Sequence, residues 1–368
     1  MQIAVYGSSL LSSYWNGAAT YYRGLFGAMA RRGHGIVFFE PDAFGRQQNR
    51  DIAAPDWAKV VVYDATPEGV RDVLGQAGDA DIIIKCSGVG VFDDELLAGI
   101  LVNGRADALR VFLDVDAPAT LAELRQNEAH ALHAALPALD LVLTYGGGDP
   151  VMLAYAVFGA RTCIPIYNAL DPATHHPVMR DPAYEATLSL LANRLPDREA
   201  RIEEFFLDPA AKLPEQSFLL GGSGWHDKTM PANVRAIGHV PTAAHNVLNV
   251  SARAVLNVAR DSMAEVGFSP ATRVFEAAGA GACLITDFWD GIELFLEPDS
   301  EVLVARDGQD VAEHLRTLTP ERARAIGEAA RARILAGHTY DQRAVLLEEV
   351  LTASLAARRE HGRQQGRA

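Results

Sequence analysis

The stretch GFSPATRVFEAAGAGACLITD, residues 267–287, carries a turn, a helix and a strand in immediate succession. Ser269 is placed to cap the helix, and Pro270 suits its first position because a helix start has no use for that N–H. Val274, Phe275 and Ala278 can face a core. Arg273 and Glu276, three apart, share another face. The helix ends near Gly281, and ACLITD follows as a buried strand.

Outward from this unit the same alternation of short apolar runs and amphipathic helical patterns continues almost from end to end, the signature of parallel sheets covered by helices on both faces. In the first half the strand candidates are QIAVYG (2–7), GIVFFE (35–40), KVVVYD (59–64), ADIIIKCSG (80–88), LRVFLDVD (109–116), LDLVLTYGG (139–147) and RTCIPIYN (161–168). The second half offers ATLSLLAN (186–193), SFLLGGSG (217–224), NVRAIGHV (233–240), RAVLNVA (253–259), ACLITD and EVLVA (301–305). One helix, EARIEEFFLD (199–208), and a weaker one over 243–252 lie between these strands. Each series suffices for a Rossmann-like sheet, and 368 residues exceed what one core usually organises. The expected division is a first domain over 1–170, a linker over 171–181 (DPATHHPVMRD) and a second domain over 182–338. Thr319 should cap a helix that Pro320 opens and Gly337 stops. A last helix, about 340–358, presents Ala344, Leu347, Val350, Leu351 and Leu355 on one face, and a basic tail over 359–368 should fray.

Composition narrows the function. The chain is 49% hydrophobic and 22% charged with a net charge of -14, which argues against a broad nucleic-acid-binding surface but leaves room for a small anion held by local arginines. Cys86, Cys163 and Cys283 sit in apolar runs without metal-ligand spacing and read as reduced core residues. No leader-like segment opens the chain and no apolar run approaches about 18 residues, so a cytoplasmic protein without a transmembrane segment is expected.

In doubly wound folds ligands sit at the carboxyl ends of the strands. The two sheets are therefore expected to face a central cleft with their strand-end loops. After the first strand of the second domain, Arg194 and Arg198 stand at a helix start that suits a diphosphate; the competing reading pairs them with Glu199, Glu203 or Asp197. Gly222 and Gly224 let a ligand approach the backbone or simply close a turn. Trp225 is placed to stack on a base or sugar. His239 ends the next strand, where it either touches the nucleotide or is structural. Asn257 and Arg260 occupy the equivalent position one strand later, as ligand contacts or internal partners. Ser269 and Thr272 flank the start of the helix that carries Arg273 and Glu276. A carboxylate one turn into that helix is placed to accept both hydroxyls of a ribose; the competing reading is a surface ion pair. In the first domain Asn16, Gly17, Tyr145 and Gly147 are expected to line the cleft. Asp114 and Asp116 are candidate general bases or turn and cap residues ahead of Pro118. His175 and His176, in the linker, either touch substrate or are exposed. The sequence shows no compact carboxylate or His/Cys cluster for a metal, so no metal and no cofactor are expected.

The run TRVFEAAGAGACLITDFWDGIELFLEPDSEVLVARDG (272–308) with HTYDQRA (338–344) resembles the C-terminal region of the CgeB-type, spore-maturation-protein glycosyltransferases. LANRLPDREARIEEFF, FLLGGSGW and AVLNVARDSM extend the resemblance over about 181–350. YWNGAATYYRGLFGAMARRGH, FLDVDAPATL and YNALDPATHHP resemble the family's first lobe less specifically. The resemblance implies the α/β GT-B fold, with two Rossmann-like domains and a final helix crossing back to the N-terminal one. It implies a metal-independent transfer from a nucleoside-diphosphate sugar to a glycan, lipid-linked or small-molecule acceptor bound by the first domain. In retaining relatives two glutamates eight positions apart flank the helix start; Glu276 fits the second, but Phe268 stands at the first, so a retaining mechanism is not carried over. The alternatives are a nucleotide-sugar epimerase on the same fold and a non-enzymatic surface or assembly protein with a degraded site.

Overall fold

The computed structural model describes residues 1–365. Its first unit comprises residues 1–167 together with the chain from Tyr340 onward, and its second comprises Asn168–Thr339.

All seven strands expected in the first unit form: β1 (Gln2–Tyr6), β2 (Gly35–Asp42), β3 (Ala58–Asp64), β4 (Ile82–Cys86), β5 (Leu109–Asp114), β6 (Leu141–Thr144) and β7 (Cys163–Pro165). They lie parallel in the order β3-β2-β1-β4-β5-β6-β7. The central strands β4 and β5 are buried at every residue, which is why they appear as continuous apolar runs. The helix Tyr340–Gln365 packs on Ala18–Arg31 of this unit, and the ring of Tyr340 lies so close over Gly24 that any side chain there would meet it.

The tail expected to fray from residue 359 is helical through Gln365 instead. Partners that the sequence does not reveal hold its start: Arg359 bonds Asp81 at 2.8 Å and Asp107 at 3.2 Å, and Arg358 just before it bonds Asp140 at 2.7 Å. Residues 366–368 of that expected tail lie outside the described residues.

The second unit holds β8 (Leu188–Leu191), β9 (Phe218–Gly221), β10 (Val234–Gly238), β11 (Ala254–Asn257), β12 (Leu284–Asp287) and β13 (Leu303–Ala305), parallel in the order β10-β9-β8-β11-β12-β13. The order reverses between β8 and β11, where a doubly wound sheet leaves a crevice at its carboxyl edge. Three local features differ from expectation. The helix expected over 199–208 continues to Lys212 but widens into a π-turn over Glu203–Leu207. Pro209 stands two residues beyond it, with no N–H to give and a ring that crowds the carbonyl four residues back. The helix expected from Pro270 begins at Thr272. The segment 171–181 is bound into the second unit: Arg180 donates to the Ser251 carbonyl at 2.6 Å, the Asp181 amide donates to the Ser251 hydroxyl at 2.9 Å, and His175 is 4% exposed.

Candidate functional site

At the carboxyl edge of the second sheet, the loop after β8 delivers Arg198 immediately before the helix Glu199–Ile202. Its Nη2 donates to the Asn193 carbonyl at 3.0 Å, while among the described residues its buried Nε has no partner. Burial above all, with Arg260 and Arg273 nearby, holds the Arg198 pKa below its ordinary value against the opposing pull of Asp197. Three guanidinium groups thus converge where two carboxylates are already engaged. Asp197 accepts from Arg260 Nε at 2.5 Å, and Asp287 accepts from Arg201 at 2.6 Å and from the Ala259 amide at 3.0 Å. Asp287 is fully buried and anchors the turn after β11 on which Arg260 stands. Convergent guanidinium groups at a strand-end crevice, one of them with an unpartnered Nε, suit an anion.

The turn ahead of the next helix is strained. Gly267 has φ +72°, and Phe268 has φ +49°, a left-handed conformation that an aromatic residue rarely adopts. The Phe268 amide donates to Asp290 at 2.6 Å, and its ring covers Gly291, where any side chain would collide with it. Phe268 therefore packs as well as lacking a carboxylate. Ser269 does not cap the helix as expected: its hydroxyl donates back to the Gly267 carbonyl at 2.9 Å, and Ala271 takes the cap position without a side-chain bond. The Pro270 carbonyl is engaged by Asn168 at 3.2 Å, which holds residues 269–271 out of the helix.

One turn in, Arg273 Nη1 lies 3.3 Å from Glu276 Oε2 with both side chains buried, so the pair is not the surface ion pair of the competing reading. The Arg273 Nε is buried with no partner among the described residues. Burial pushes the Glu276 pKa up, but Arg273, His175 and His245 outweigh it and hold the carboxyl below its ordinary value, hence ionised. His175 Nε2 stands 3.8 Å from Glu276 Oε1, and ligand atoms of His175, His245 and Glu276 all lie within 4.8 Å of one another. The absence of any compact cluster, expected from the sequence, is corrected here: three distant segments supply one. Apolar periodicity flagged neither histidine. The one available signal for His175 was its place between two prolines in the DPATHHP segment, which suits a chain that turns back into the fold.

Other expected residues are committed elsewhere. Arg194, expected on a diphosphate, forms a bidentate pair with Glu199 at 2.7 and 2.8 Å and a bond to Asp227 at 2.8 Å. Trp225 is 4% exposed in the core and donates its indole N–H to Ala192 at 2.8 Å, which leaves no face for stacking. Gly222, at φ +122°, is needed because a Cβ there would lie 2.0 Å from the Ala192 carbonyl oxygen, and Gly224, at φ +90°, continues the same turn. His239 is exposed at the end of the edge strand β10, away from the β8–β11 crevice. Asn257 is buried and donates to Thr286 at 3.1 Å, while Thr272 is half-buried at the helix start. Replacing Trp225 by Phe should lower stability by about 1–3 kcal/mol in chemical denaturation, since Ala192 loses its buried donor, and leave nucleotide affinity unchanged.

In the first unit Asn16 is buried and spends its amide on Ser8, Ser9 and Ser12, which fixes the loop after β1; Gly17 leads into the helix that follows. Tyr145 packs against Tyr21 with ring centroids 5.8 Å apart, and Gly147, at φ +94°, sits where a Cβ would meet Val151. Asp114 is fully buried and accepts from Ser87, Tyr155, Thr120 and the Asp116 amide, so its bonds brace the loop. Asp116 lines a cavity of about 310 Å³ with Lys85, Asp93, Thr120 and His130.

Residues 198–349 match a family model described as glycosyl transferase-like. No curated protein sequence matches the chain. Among solved structures, sucrose-phosphate synthase from Thermosynechococcus elongatus superposes with a TM-score of 0.72 at 15% identity, covering 97% of this chain and 100% of that one. The fold is GT-B. HepE of Anabaena, solved with UDP and glucose, gives 0.68 at 14% identity over 96% and 100% of the two chains. An α-glucosyltransferase solved with UDP-glucose and DNA gives 0.70 at 14% identity over 96% and 99%. Both units of this chain are thus the parallel-sheet, Rossmann-like domains of GT-B glycosyltransferase structures. Among the described residues no helix is long and apolar enough to cross a membrane.

Proposed function

We propose that this protein transfers a sugar from a nucleoside-diphosphate sugar, held by its second domain, to a hydroxyl acceptor taken by its first. The observation that carries the proposal is the pairing of half-buried Arg198 and Arg273, each with an unpartnered buried Nε, with an ionised, buried Glu276 one helical turn from a strand-end crevice. Guanidinium donors suit a diphosphate and a carboxylate suits a ribose diol, so charge and spacing match a nucleotide laid along the edge of the sheet. The UDP complexes of HepE and of the α-glucosyltransferase support a nucleotide donor, and the CgeB-type resemblance covers much the same residues as the family model.

In the reaction the acceptor oxygen bonds the anomeric carbon as the bond from that carbon to the diphosphate breaks. The leaving diphosphate keeps the electron pair, and Arg198 and Arg273 stabilise its growing charge in the role a metal plays elsewhere. For an inverting transfer Asp116, which lines the first-domain cavity, accepts the proton. DNA, present with one neighbour, is disfavoured as an acceptor by the net charge of -14. Three free cysteines suit a reducing, cytoplasmic setting.

Thermal-shift assays with UDP, GDP, dTDP and CDP in the presence of EDTA test the donor assignment. At 100 times its Kd the correct nucleotide adds about 2.7 kcal/mol; no shift with any of the four contradicts a nucleotide site. Incubation with the matching nucleotide sugar and no acceptor then separates transferase from epimerase, which alone releases free nucleotide at the rate of turnover.

A further inference from the structure

Among the described residues of the first unit, three residues other than glycine hold a left-handed backbone, and all three are aromatic: Trp15 at φ +48°, Phe44 at +56° and Phe92 at +54°. They stand in the loops that follow β1, β2 and β4. These strands are neighbours in the parallel sheet, in the order β2-β1-β4, so the three loops sit side by side along one carboxyl edge. A left-handed aromatic residue is a steric outlier that persists only where its surroundings impose it. At the first two positions packing of the ring does not compensate: Trp15 is 57% and Phe44 54% exposed, and Tyr14, with its ring centroid 6.5 Å from that of Trp15, is exposed as well.

The loops are braced against one another. Buried Arg46, from the loop after β2, donates to the Ser8 carbonyl at 3.3 Å and to the Val89 carbonyl at 2.7 Å, which ties all three together, and its guanidinium carbon lies 5.1 Å from the centroid of the Phe44 ring. Ser12 donates to the Asn49 carbonyl at 2.7 Å, and the amide and hydroxyl of Ser13 each donate to Asp51 at 2.9 Å. Val89 is itself exposed and lines the cavity of about 310 Å³ that holds Asp116, so the edge bearing Phe44 runs into that cavity. Residues 7–17, 43–57 and 87–92 carry Arg46 and Arg50 against Asp51 and Asp56 and no other charge, in a chain of net charge -14. An anionic membrane attracts rings with a basic flank, which these loops lack. Gln48, Asn49 and Arg50 are exposed beside the rings. The edge is thus neutral and amphipathic, and it extends over two strand spacings, about 10 Å. It matches a ligand that offers flat C–H faces to rings and hydroxyl groups to amides.

We infer that Trp15 and Phe44 form a stacking platform for a neutral oligosaccharide, the acceptor of the transfer, whose reacting end enters the cavity beside Val89. The inference rests on the sugar-transfer reading above and names the class of its acceptor. Rings fixed on a braced edge meet the sugar faces without first having to be ordered, which is what the left-handed backbone at these positions secures.

The full-length chain on a microarray of neutral microbial oligosaccharides, with the strongest ligand then titrated by calorimetry, tests this. The wild type is expected to bind at least one of them, and Trp15→Gly and Phe44→Gly should each weaken that binding by about tenfold or more. Glycine adopts the left-handed backbone without steric cost, so the melting temperature of either variant should rise or fall by no more than roughly 3 °C. The thermal shift that each gives with a nucleoside diphosphate should match the wild type. If the wild type binds no neutral oligosaccharide, if both variants bind it as tightly, or if both melt at temperatures lower by more than that, the platform falls; a retained nucleotide shift then leaves the transfer reading standing. If no nucleoside diphosphate shifts the wild type, both fall. Binding to vesicles of phosphatidylglycerol and phosphatidylethanolamine that the two variants lose, with no oligosaccharide bound, would make the rings a membrane contact instead.

Discussion

Arg198→Met should lower the turnover of sugar transfer by about 10²–10³-fold, because it removes a preorganised donor aimed at charge that grows only as the diphosphate departs. That corresponds to roughly 2.7–4 kcal/mol of transition-state stabilisation. The same substitution should leave the melting temperature unchanged or slightly raised. The guanidinium is partly buried, its Nε is unbonded, and burial disfavours its charged form, so the apo fold gains little from holding it. Arg194→Met is the matched control four residues away. It breaks the pairs to Glu199 and Asp227 and should leave turnover within about twofold. Equal losses in the two variants would mean that the loop as a whole, and not the Arg198 charge, matters.

Glu276→Gln should weaken nucleotide binding by about 10²-fold, measured by calorimetry, as two hydrogen bonds to a charged acceptor become bonds to a neutral one. Here the apo protein should also suffer, because Arg273 loses its buried partner. The variant has a distinct pH signature. The folded-state pKa of Glu276 is depressed, so its contribution to stability is fully present above the ordinary glutamate range, near pH 4.3, and is lost as pH falls through the lower folded value. The Gln variant lacks that contribution at neutral pH and should show a shallower loss of stability on acidification. An unchanged affinity for every nucleoside diphosphate would remove Glu276 from the ribose site.

The thirteen strands were legible because parallel strands covered on both faces must be continuous apolar runs, as in IIIKC of β4 and LITD of β12. The helix bearing Arg273 and Glu276 was legible for a related reason: Val274, Phe275 and Ala278 recur at the helical period. What could not be read was which of several similar polar residues finds an internal partner. Arg194 and Arg198 differ by four positions, and it is the local turn that lays Glu199 on Arg194, with Asp227 approaching from the next strand-end loop, that neutralises the first and not the second. Trp225 follows a glycine-rich turn whose purpose is steric, as the collision of a Gly222 side chain with Ala192 demonstrates, and its indole was drawn into the core. His175 carries no periodicity because it sits in a turn, and its burial depends on the helices that bring His245 and Glu276 to it.

Hydrogen–deuterium exchange of the full-length protein with and without saturating UDP, or GDP if that nucleotide gives the larger thermal shift, tests most directly whether the second domain holds a nucleotide at this crevice. Slowed exchange at residues 193–201 and 267–276, with the peptide containing His175 also protected, is the predicted result. Protection confined to the first domain, or none in these segments at a nucleotide concentration that saturates a measured binding isotherm, would contradict it.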